Sequence, residues 1–278
     1  MQTALVIGSR GFVGRHLVNE LLTRGVQVQG VSRSRRGGVN DGPCWTPDEM
    51  LRSQDDFDTA FLLAAVIPYG DIDRITPELV ASNILLPAQV AERFPGIRLV
   101  YASSVSVYGT PQSLPVTEEH PLHQPNVYGL SKAMGERMVA AHDNAVVLRF
   151  SSLYGAGMMA PTFIPRLISQ GREAGRLTLF GDGSRQQDYL NVDDAVGMLL
   201  AAAESQQAGT FNAVQGDSLS NRDVATVIAK QMGGIPVELT GNDDSPSFAY
   251  SRAKWDAAFE FRPLVTLQDG ISRMLEEA

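Results

Sequence analysis

A chain of 278 residues, 44% of them hydrophobic, can bury one large core, or one core with a smaller lobe. Its formal net charge of -8 argues against a nucleic-acid binder or a protein held on anionic membranes. The longest apolar runs, near 60–67 and 196–203, are too short to span a bilayer.

Thr3-Ala-Leu-Val-Ile7 is a short apolar run with the character of a buried parallel strand. A strand starting there leaves no room for a signal peptide, so a cytoplasmic protein is expected. Gly8-Ser9-Arg10-Gly11-Phe12-Val13-Gly14 follows at once, and an amphipathic stretch runs through His16, Leu17, Leu21 and Leu22 to Gly25, a helix stop. Val26–Ser32 reads as a second strand. Strand, glycine loop, helix and strand within about thirty residues form a dinucleotide-binding unit. Gly8 would make the tight turn, Gly11 would admit a pyrophosphate, and Gly14 would let helix and strand pack closely. The phosphates would sit on the helix N-terminus, whose N–H groups and partial positive charge attract anions. Gly8, Arg10, Gly11, Phe12, Val13 and Gly14 are therefore the expected phosphate-site residues, although the spacing is G-x-x-G-x-x-G rather than G-x-G-x-x-G.

The end of the second strand bears on cofactor choice. An acidic residue there takes a ribose 2′-hydroxyl and repels a 2′-phosphate. This chain has Ser32-Arg33-Ser34-Arg35-Arg36 instead, so Ser32, Arg33 and Arg35, with Arg10, favour NADP(H), with NAD(H) as the alternative. A solvated basic loop is the other reading of that run.

Residues 37–56 are rich in Gly, Pro and Asp and read as a connection with at most one short strand. The single cysteine, Cys44, falls here, cannot form an internal disulfide and fits a reducing compartment. A buried strand is expected over Thr59–Ala65, where Leu63, Ala64 and Ala65 leave room for a flat ligand. Pro77–Phe94 has helical spacing and puts Asn83 on its inner face, as a satisfied core residue or a cofactor contact. Ile97–Ala102 is a strand ending in Ser103-Ser104. The C-terminal ends of such strands are where open α/β sheets place ligands, so the Ser104 hydroxyl is a candidate to orient a substrate oxygen.

Tyr128 and Lys132 lie at i and i+4 on a helix predicted to run to about His142, so both side chains share one face. An ammonium beside a phenol favours phenolate. A tyrosine pKa drawn down toward neutrality gives a general acid/base.

Beyond a strand at Ala145–Phe150 and a turn at 152–157, the alternation changes. Helices are predicted over 161–171, 193–204, 220–232, 252–259 and 266–277, with strands at 176–180 and 209–214. Ser220 with Asp223 makes a loose capping box. The architecture expected is α/β: a Rossmann-type, doubly wound parallel sheet from residues 1–150 and about 188–216. A smaller discontinuous lobe from about 151–187 and 217–278 would fold over its cleft.

Taken together, the glycine loop, Ser104 and Tyr128-x-x-x-Lys132 resemble the extended short-chain dehydrogenase/reductases, the NAD-dependent epimerase/dehydratase group. The resemblance spans Leu5 to about Ile271. It includes Leu63-Ala64-Ala65, Ala102-Ser-Ser-Val-Ser-Val-Tyr-Gly109, Leu148-Arg-Phe-Ser-Ser-Leu-Tyr-Gly155, Leu179-Phe-Gly-Asp-Gly-Ser184 and Asp188-Tyr-Leu-Asn-Val-Asp-Asp194. It implies that Tyr128 exchanges a proton with the reacting oxygen. Lys132 would hold the nicotinamide ribose and lower the Tyr128 pKa, and Ser104 would orient the substrate. Hydride would pass between nicotinamide and a substrate carbon, most often of a nucleotide-linked sugar. Ser106, Ser152, Phe163, Phe180, Arg185 and Gln187 are the further substrate candidates, and a homodimer is expected by analogy.

Departures from the family pattern narrow the activity. The Asp-Glu pair of sugar 4,6-dehydratases is replaced by Val105-Ser106, and the Cys of deoxysugar epimerase-reductases is absent from position 105. That leaves 4-ketoreduction or 4-epimerisation. Gln187 stands where an arginine often grips the diphosphate, and Gly241–Pro246 replaces an Arg-Pro-Gly-Asp stretch. A reductase of a non-sugar, natural-product ketone is therefore an alternative. A non-catalytic, cofactor-binding regulatory protein is a third reading, which the intact Ser104, Tyr128 and Lys132 oppose.

Overall fold

The computed structural model describes residues 1–33, 44–71, 73–159 and 161–276. The chain opens with β1 (Thr3–Ile7), α1 (Phe12–Thr23) and β2 (Gln27–Val31). Ala4, Leu5 and Val6 of β1 are wholly buried, as an apolar run flanked by neighbours on both faces requires. The next stretch differs from expectation, since it holds both β3 (Cys44–Trp45) and α2 (Pro47–Arg52). That short helix forms because Thr46 and Glu49 close a capping box, Pro47 starts the first turn, and Met50 is buried beneath it.

β4 (Thr59–Leu62) stops three residues short of the predicted end. A single helical rod follows as α3 (Pro77–Val80), one π turn over Ala81–Leu85, and α4 (Leu86–Arg93). Then come β5 (Arg98–Ser104), α5 (Val127–Val139) and β6 (Ala145–Phe150). The remainder is β7 (Ser152–Tyr154), α6 (Phe163–Ala174), β8 (Leu177–Phe180), β9 (Gln186–Gln187), β10 (Tyr189–Asn191), α7 (Val192–Glu204), β11 (Gly209–Ala213), β12 (Leu219–Ser220), α8 (Asn221–Gln231), β13 (Val237–Thr240), α9 (Ala253–Ala258) and α10 (Leu267–Glu276). No described helix is long and apolar enough to cross a membrane.

Seven strands form one parallel sheet in the order β3-β2-β1-β4-β5-β6-β11. This is the expected Rossmann-type, doubly wound arrangement. Strand order reverses between β1 and β4, so the turns leaving those two strands diverge and open a crevice at the C-terminal edge. One face is covered by α1, α7 and α9, where Leu17, Leu21, Leu199 and Trp255 pack against Val6, Phe61 and Leu148. The other is covered by α4 and α5, with Val90 and Val139 against Leu5, Leu99 and Tyr101.

A separate apolar cluster joins α6, α8 and α10 to β8, including Ile164, Leu167, Leu177, Ile228 and Ile271. Around it lie three two-stranded pairings, β10 with β7, β12 with β9, and β13 with β8. The predicted turn at 152–157 thus begins as a strand. β13 has little sequence signal because three of its four residues are exposed.

The glycine loop is set by close packing. A Cβ at position 14 would lie 2.1 Å from the Gly8 carbonyl oxygen, a backbone atom that cannot swing away. Gly14→Ala should therefore cost at least ~2 kcal/mol of stability and deform the turn, read by chemical denaturation. Unchanged stability would contradict this packing argument.

Candidate active site

The loop after β1 is built for close approach. Gly8 has φ 95, its N–H donates to Val31 O at 2.8 Å, and Gly11 N–H donates back to Gly8 O at 2.9 Å. A Cβ on Gly8 would strike Ala64 N at 2.7 Å, so the turn is wedged against the segment leaving β4. Helix α1 starts at Phe12 behind Gly11, which supplies no side-chain cap. Its first N–H groups therefore keep the partial positive charge of the helix for a ligand. Gly11 is exposed, and Arg10, Phe12 and Val13 are half-buried.

Two residues of α1 not singled out from sequence tie this loop to the chain after β7. Arg15 Nη2 donates to Gly157 O at 3.1 Å, and His16 Nε2 donates to Ala156 O at 3.0 Å. His16 Nδ1 also faces Asp193 Oδ1 at 3.4 Å, and that hydrogen bond holds the imidazole pKa above its ordinary value.

At the end of β2, Ser32 is half-buried and its N–H donates to Trp45 O at 2.9 Å. Arg33 is exposed and lies within electrostatic reach of the Glu78 carboxylate, as does Arg74. Arg35 falls outside the described residues. Leu63, Ala64 and Ala65 are half-buried loop residues rather than strand, although Leu63 N–H still reaches Ile7 O at 2.9 Å.

Asn83 holds the loop that follows β4. Its Oδ1 accepts Val66 N–H at 2.8 Å, and its Nδ2 donates to Val66 O at 3.0 Å and to Ser131 Oγ at 2.9 Å. Ser131 Oγ in turn donates to Tyr128 O at 2.7 Å. The π turn carries Asn83 inward, fully buried, and a π turn of this kind is a frequent functional device. With its amide committed inside the protein, Asn83 acts as a strap between the β4 loop and α5.

Helix α5 is pressed against the end of β5. Ser104 closes that strand and caps the 3₁₀ turn Val105–Tyr108, its Oγ accepting Ser106 N–H at 3.1 Å and donating to Ser106 Oγ at 3.0 Å. A Cβ at Gly129 would lie 2.1 Å from Ser106 O, so this glycine lets the helix and turn meet. Asn126 Oδ1 accepts Gly129 N–H at 2.8 Å, and Asp73 Oδ1 accepts Val127 N–H at 3.3 Å, fixing the first turn. The result brings the Tyr128 phenol within hydrogen-bonding influence of Ser104.

The expected lowering of Tyr128 by Lys132 is not what the structure gives. Burial pushes the phenol up, nearby Tyr69 adds to the rise, and the Ser104 hydrogen bond opposes it, although Tyr128 is only half-buried overall. The lysine's placement supplies the reason. Lys132 is 1% exposed, and its Nζ lies 4.2 Å from the centre of the Tyr101 ring, with no hydrogen-bond partner among the described residues. Burial lowers its pKa to about 7, against an opposing pull from Glu136. Glu136 cannot hold the charge alone because Arg149 takes both its oxygens, at 2.9 and 2.7 Å, and Ser103 Oγ donates to it at 2.5 Å.

The remaining substrate candidates sit in the C-terminal part. Ser152 is exposed on β7, and Phe180 is 64% exposed. Phe163 stacks on Tyr189 at 6.2 Å, and Gln187 Nε2 donates to Tyr189 OH at 2.8 Å and Asn221 Oδ1 at 3.1 Å. Arg185 Nε donates to Pro246 O at 3.1 Å. Phe163 and Gln187 thus form one packed group, while Ser104, Ser106 and Tyr128 meet at the end of β5, with Lys132 one turn further along α5 over the Tyr101 ring.

A nicotinamide dinucleotide fits these residues on two counts. The glycine turn has no room for a Cβ at Gly8 or Gly14, and Lys132 presents a buried ammonium with no hydrogen-bond partner among the described residues. Burying that lysine has a stability consequence. Its folded pKa lies below the unfolded value, so the penalty is full below about pH 7 and fades as pH rises toward 10.5. Lys132→Met should stabilise the cofactor-free chain by several kcal/mol at pH 6 and by progressively less toward pH 10, measured by denaturant unfolding. A variant no more stable than the parent at pH 6 would contradict that burial cost.

Comparison with known proteins gives one family throughout. The model of the NAD dependent epimerase/dehydratase family matches residues 4–214. The chain is 28% identical to UDP-glucose 4-epimerase of Mycolicibacterium smegmatis, over 98% of this chain and 97% of that protein. It is 26% identical to dTDP-glucose 4,6-dehydratase of Streptomyces griseus, over 96% and 91%. MoeE5, solved in complex with UDP-glucuronic acid and NAD, superposes with a TM-score of 0.86 at 26% identity, covering 99% of this chain and 98% of that one. The glycine turn, the Ser104–Tyr128–Lys132 cluster and this match over most of the sheet make the chain a member of the NAD-dependent epimerase/dehydratase family, the extended short-chain dehydrogenase/reductases.

Proposed function

We propose that this protein is a nucleotide-sugar 4-epimerase, working by reversible oxidation and reduction at a secondary alcohol carbon. The observation that carries the reading is the Lys132 ammonium, without a hydrogen-bond partner among the described residues and buried one helical turn from Tyr128, with the phenol beside Ser104. A bound nicotinamide supplies hydride acceptance and return. The chain's own residues do the rest. Lys132 offers hydrogen bonds to the nicotinamide ribose hydroxyls, and the N-terminus of α1 receives the pyrophosphate. Ser104 Oγ orients the substrate oxygen. Tyr128 holds the proton that this oxygen gains on reduction and loses on oxidation. With its pKa held up, the phenol stays protonated at neutral pH, which suits the donor half of the cycle.

Loss of water needs a positioned acid/base pair, and Val105-Ser106 offers no carboxylate. This favours epimerisation over 4,6-dehydration, although two relatives, of Streptomyces griseus and an Actinoplanes species, are named dTDP-glucose 4,6-dehydratase. A 4-ketoreductase would use the same groups. The second reading, a reductase of a non-sugar ketone, is favoured by Gln187, whose amide is committed to Tyr189 and Asn221 where an arginine would grip a diphosphate. Epimerase activity interconverts UDP-sugars with no net change in cofactor, whereas the ketone reading requires steady consumption of reduced cofactor.

The NADP(H) preference expected from the basic residues rests, among the described residues, on Arg10, Ser32 and Arg33. MoeE5 carries NAD, so NAD is the cofactor that the relatives support. Cytoplasmic residence and a homodimer belong to the same reading, the latter supported by exposed Leu130 and Met134 on α5 and Leu85 beside α4.

Tyr128→Phe should lower turnover by about 10²–10⁴-fold while leaving cofactor affinity nearly unchanged; retention of most of the rate would refute the proton-exchange role. Arg33→Asp should raise the NAD/NADP affinity ratio if Arg33 faces the adenosine ribose. An unmoved ratio would make the basic loop a solvated surface.

A further inference from the structure

We propose that Tyr101 is a positioning residue for Lys132, its ring forming a seat on which the buried ammonium rests. The inference deepens the reading above and rests on it for its catalytic meaning. Tyr101 and Ser103 alternate along β5 and so face α5 together, where Lys132 and Glu136 lie one turn apart. Ser103 donates to Glu136, and Tyr101 lies under Lys132 with its ring centre 4.2 Å from Nζ. An aromatic face attracts a cation through its quadrupole, and more strongly where water is excluded. Tyr101 is wholly buried.

The space for this ring is made by Gly135. A Cβ there would lie 2.2 Å from the Tyr101 hydroxyl oxygen and 2.6 Å from Asn83 O. The phenol thus crosses α5 at a glycine, one turn beyond Lys132. The hydroxyl itself has no hydrogen-bond partner among the described residues, and burial pushes its pKa far up. It therefore stays neutral, and the ring rather than the hydroxyl acts on the lysine.

Other charged and titratable neighbours leave that task to Tyr101. On the same helix, Glu136 pulls the lysine toward its charged form but is shared with Arg149 of β6. Tyr128 is protonated at neutral pH. The polar residues packed alongside, Asn83 and Ser131, are neutral and bonded to each other. The seat favours the charged form and fixes the direction of Nζ while no ligand is bound, so the socket is ready when a ribose arrives.

The sequence allows a direct test, because it holds three lysines, Lys132, Lys230 and Lys254. Lysine labelled with ¹³C at Cε gives three resonances, and Lys132 should be the one that titrates near pH 7. In Tyr101→Leu that midpoint should fall by about one pH unit, whereas Tyr101→Phe, which keeps the ring, should leave it in place. Gly135→Ala, which displaces the ring without removing it, should lower the midpoint too and stands in if Tyr101→Leu does not fold. An unmoved midpoint in the folded Leu or Ala variant would overturn the proposal. So would a Phe variant that shifts as far as Leu. This readout needs no turnover, so it fails or succeeds apart from the epimerase reading, which Tyr128→Phe addresses.

Discussion

A lysine ammonium taken out of water and left without a hydrogen bond is a costly thing for a fold to hold. Among the described residues Lys132 is that group, and the rest of this structure is arranged around it. The parallel sheet supplies a rigid floor, β5 supplies the aromatic face beneath the ammonium, and α5 presents the lysine over it. Desolvation outweighs the help from Glu136, because Arg149 and Ser103 have first claim on that carboxylate. A buried cation in this condition gains more from an incoming ribose than a solvated one would, since the ligand restores what burial removed.

The same constraint explains features that otherwise look unrelated. Glycine at 129 lets α5 touch the turn after β5, glycine at 135 admits the Tyr101 phenol, and glycines at 8 and 14 let the phosphate turn and α1 close up. Asn83 straps the loop after β4 to the carbonyl side of Tyr128 through Ser131. Each contact fixes a backbone at a distance where a side chain would not fit, or ties two segments by an internal hydrogen bond. The groups proposed to be catalytic are therefore positioned before any ligand binds, which is the condition for efficient proton exchange.

Much of this was legible in the residues. The glycine loop between two apolar runs announced β1, α1 and β2, and the strand-end Ser104 with Tyr128 and Lys132 announced the edge where they meet. Elements were missed where tertiary contacts rather than pattern decide them. β13 is three-quarters exposed, and β9, β10 and β12 are two or three residues long, too short for a period to show. The α2 helix did carry a signal, Thr46-Pro47-x-Glu49, hidden in a stretch whose composition reads as loop. The electrostatics of Tyr128 and Lys132 were not legible, because spacing reports proximity but not burial. An i, i+4 pair in water would have lowered the phenol; in this interior, desolvation dominates both groups. Tyr101, Tyr69 and Asp73 escaped notice because only the fold brings them to α5.

The central claim is that the cofactor ribose completes the buried Lys132 and restores its charge. Proton uptake on binding NADH, whose nicotinamide ring is uncharged, measures this most directly, by calorimetry at about pH 8 in buffers of different ionisation enthalpy. The lysine titrates near 7 before binding, so the account predicts uptake approaching one proton by the parent chain and none by Lys132→Met. NADH binding by the parent with no proton taken up would contradict it.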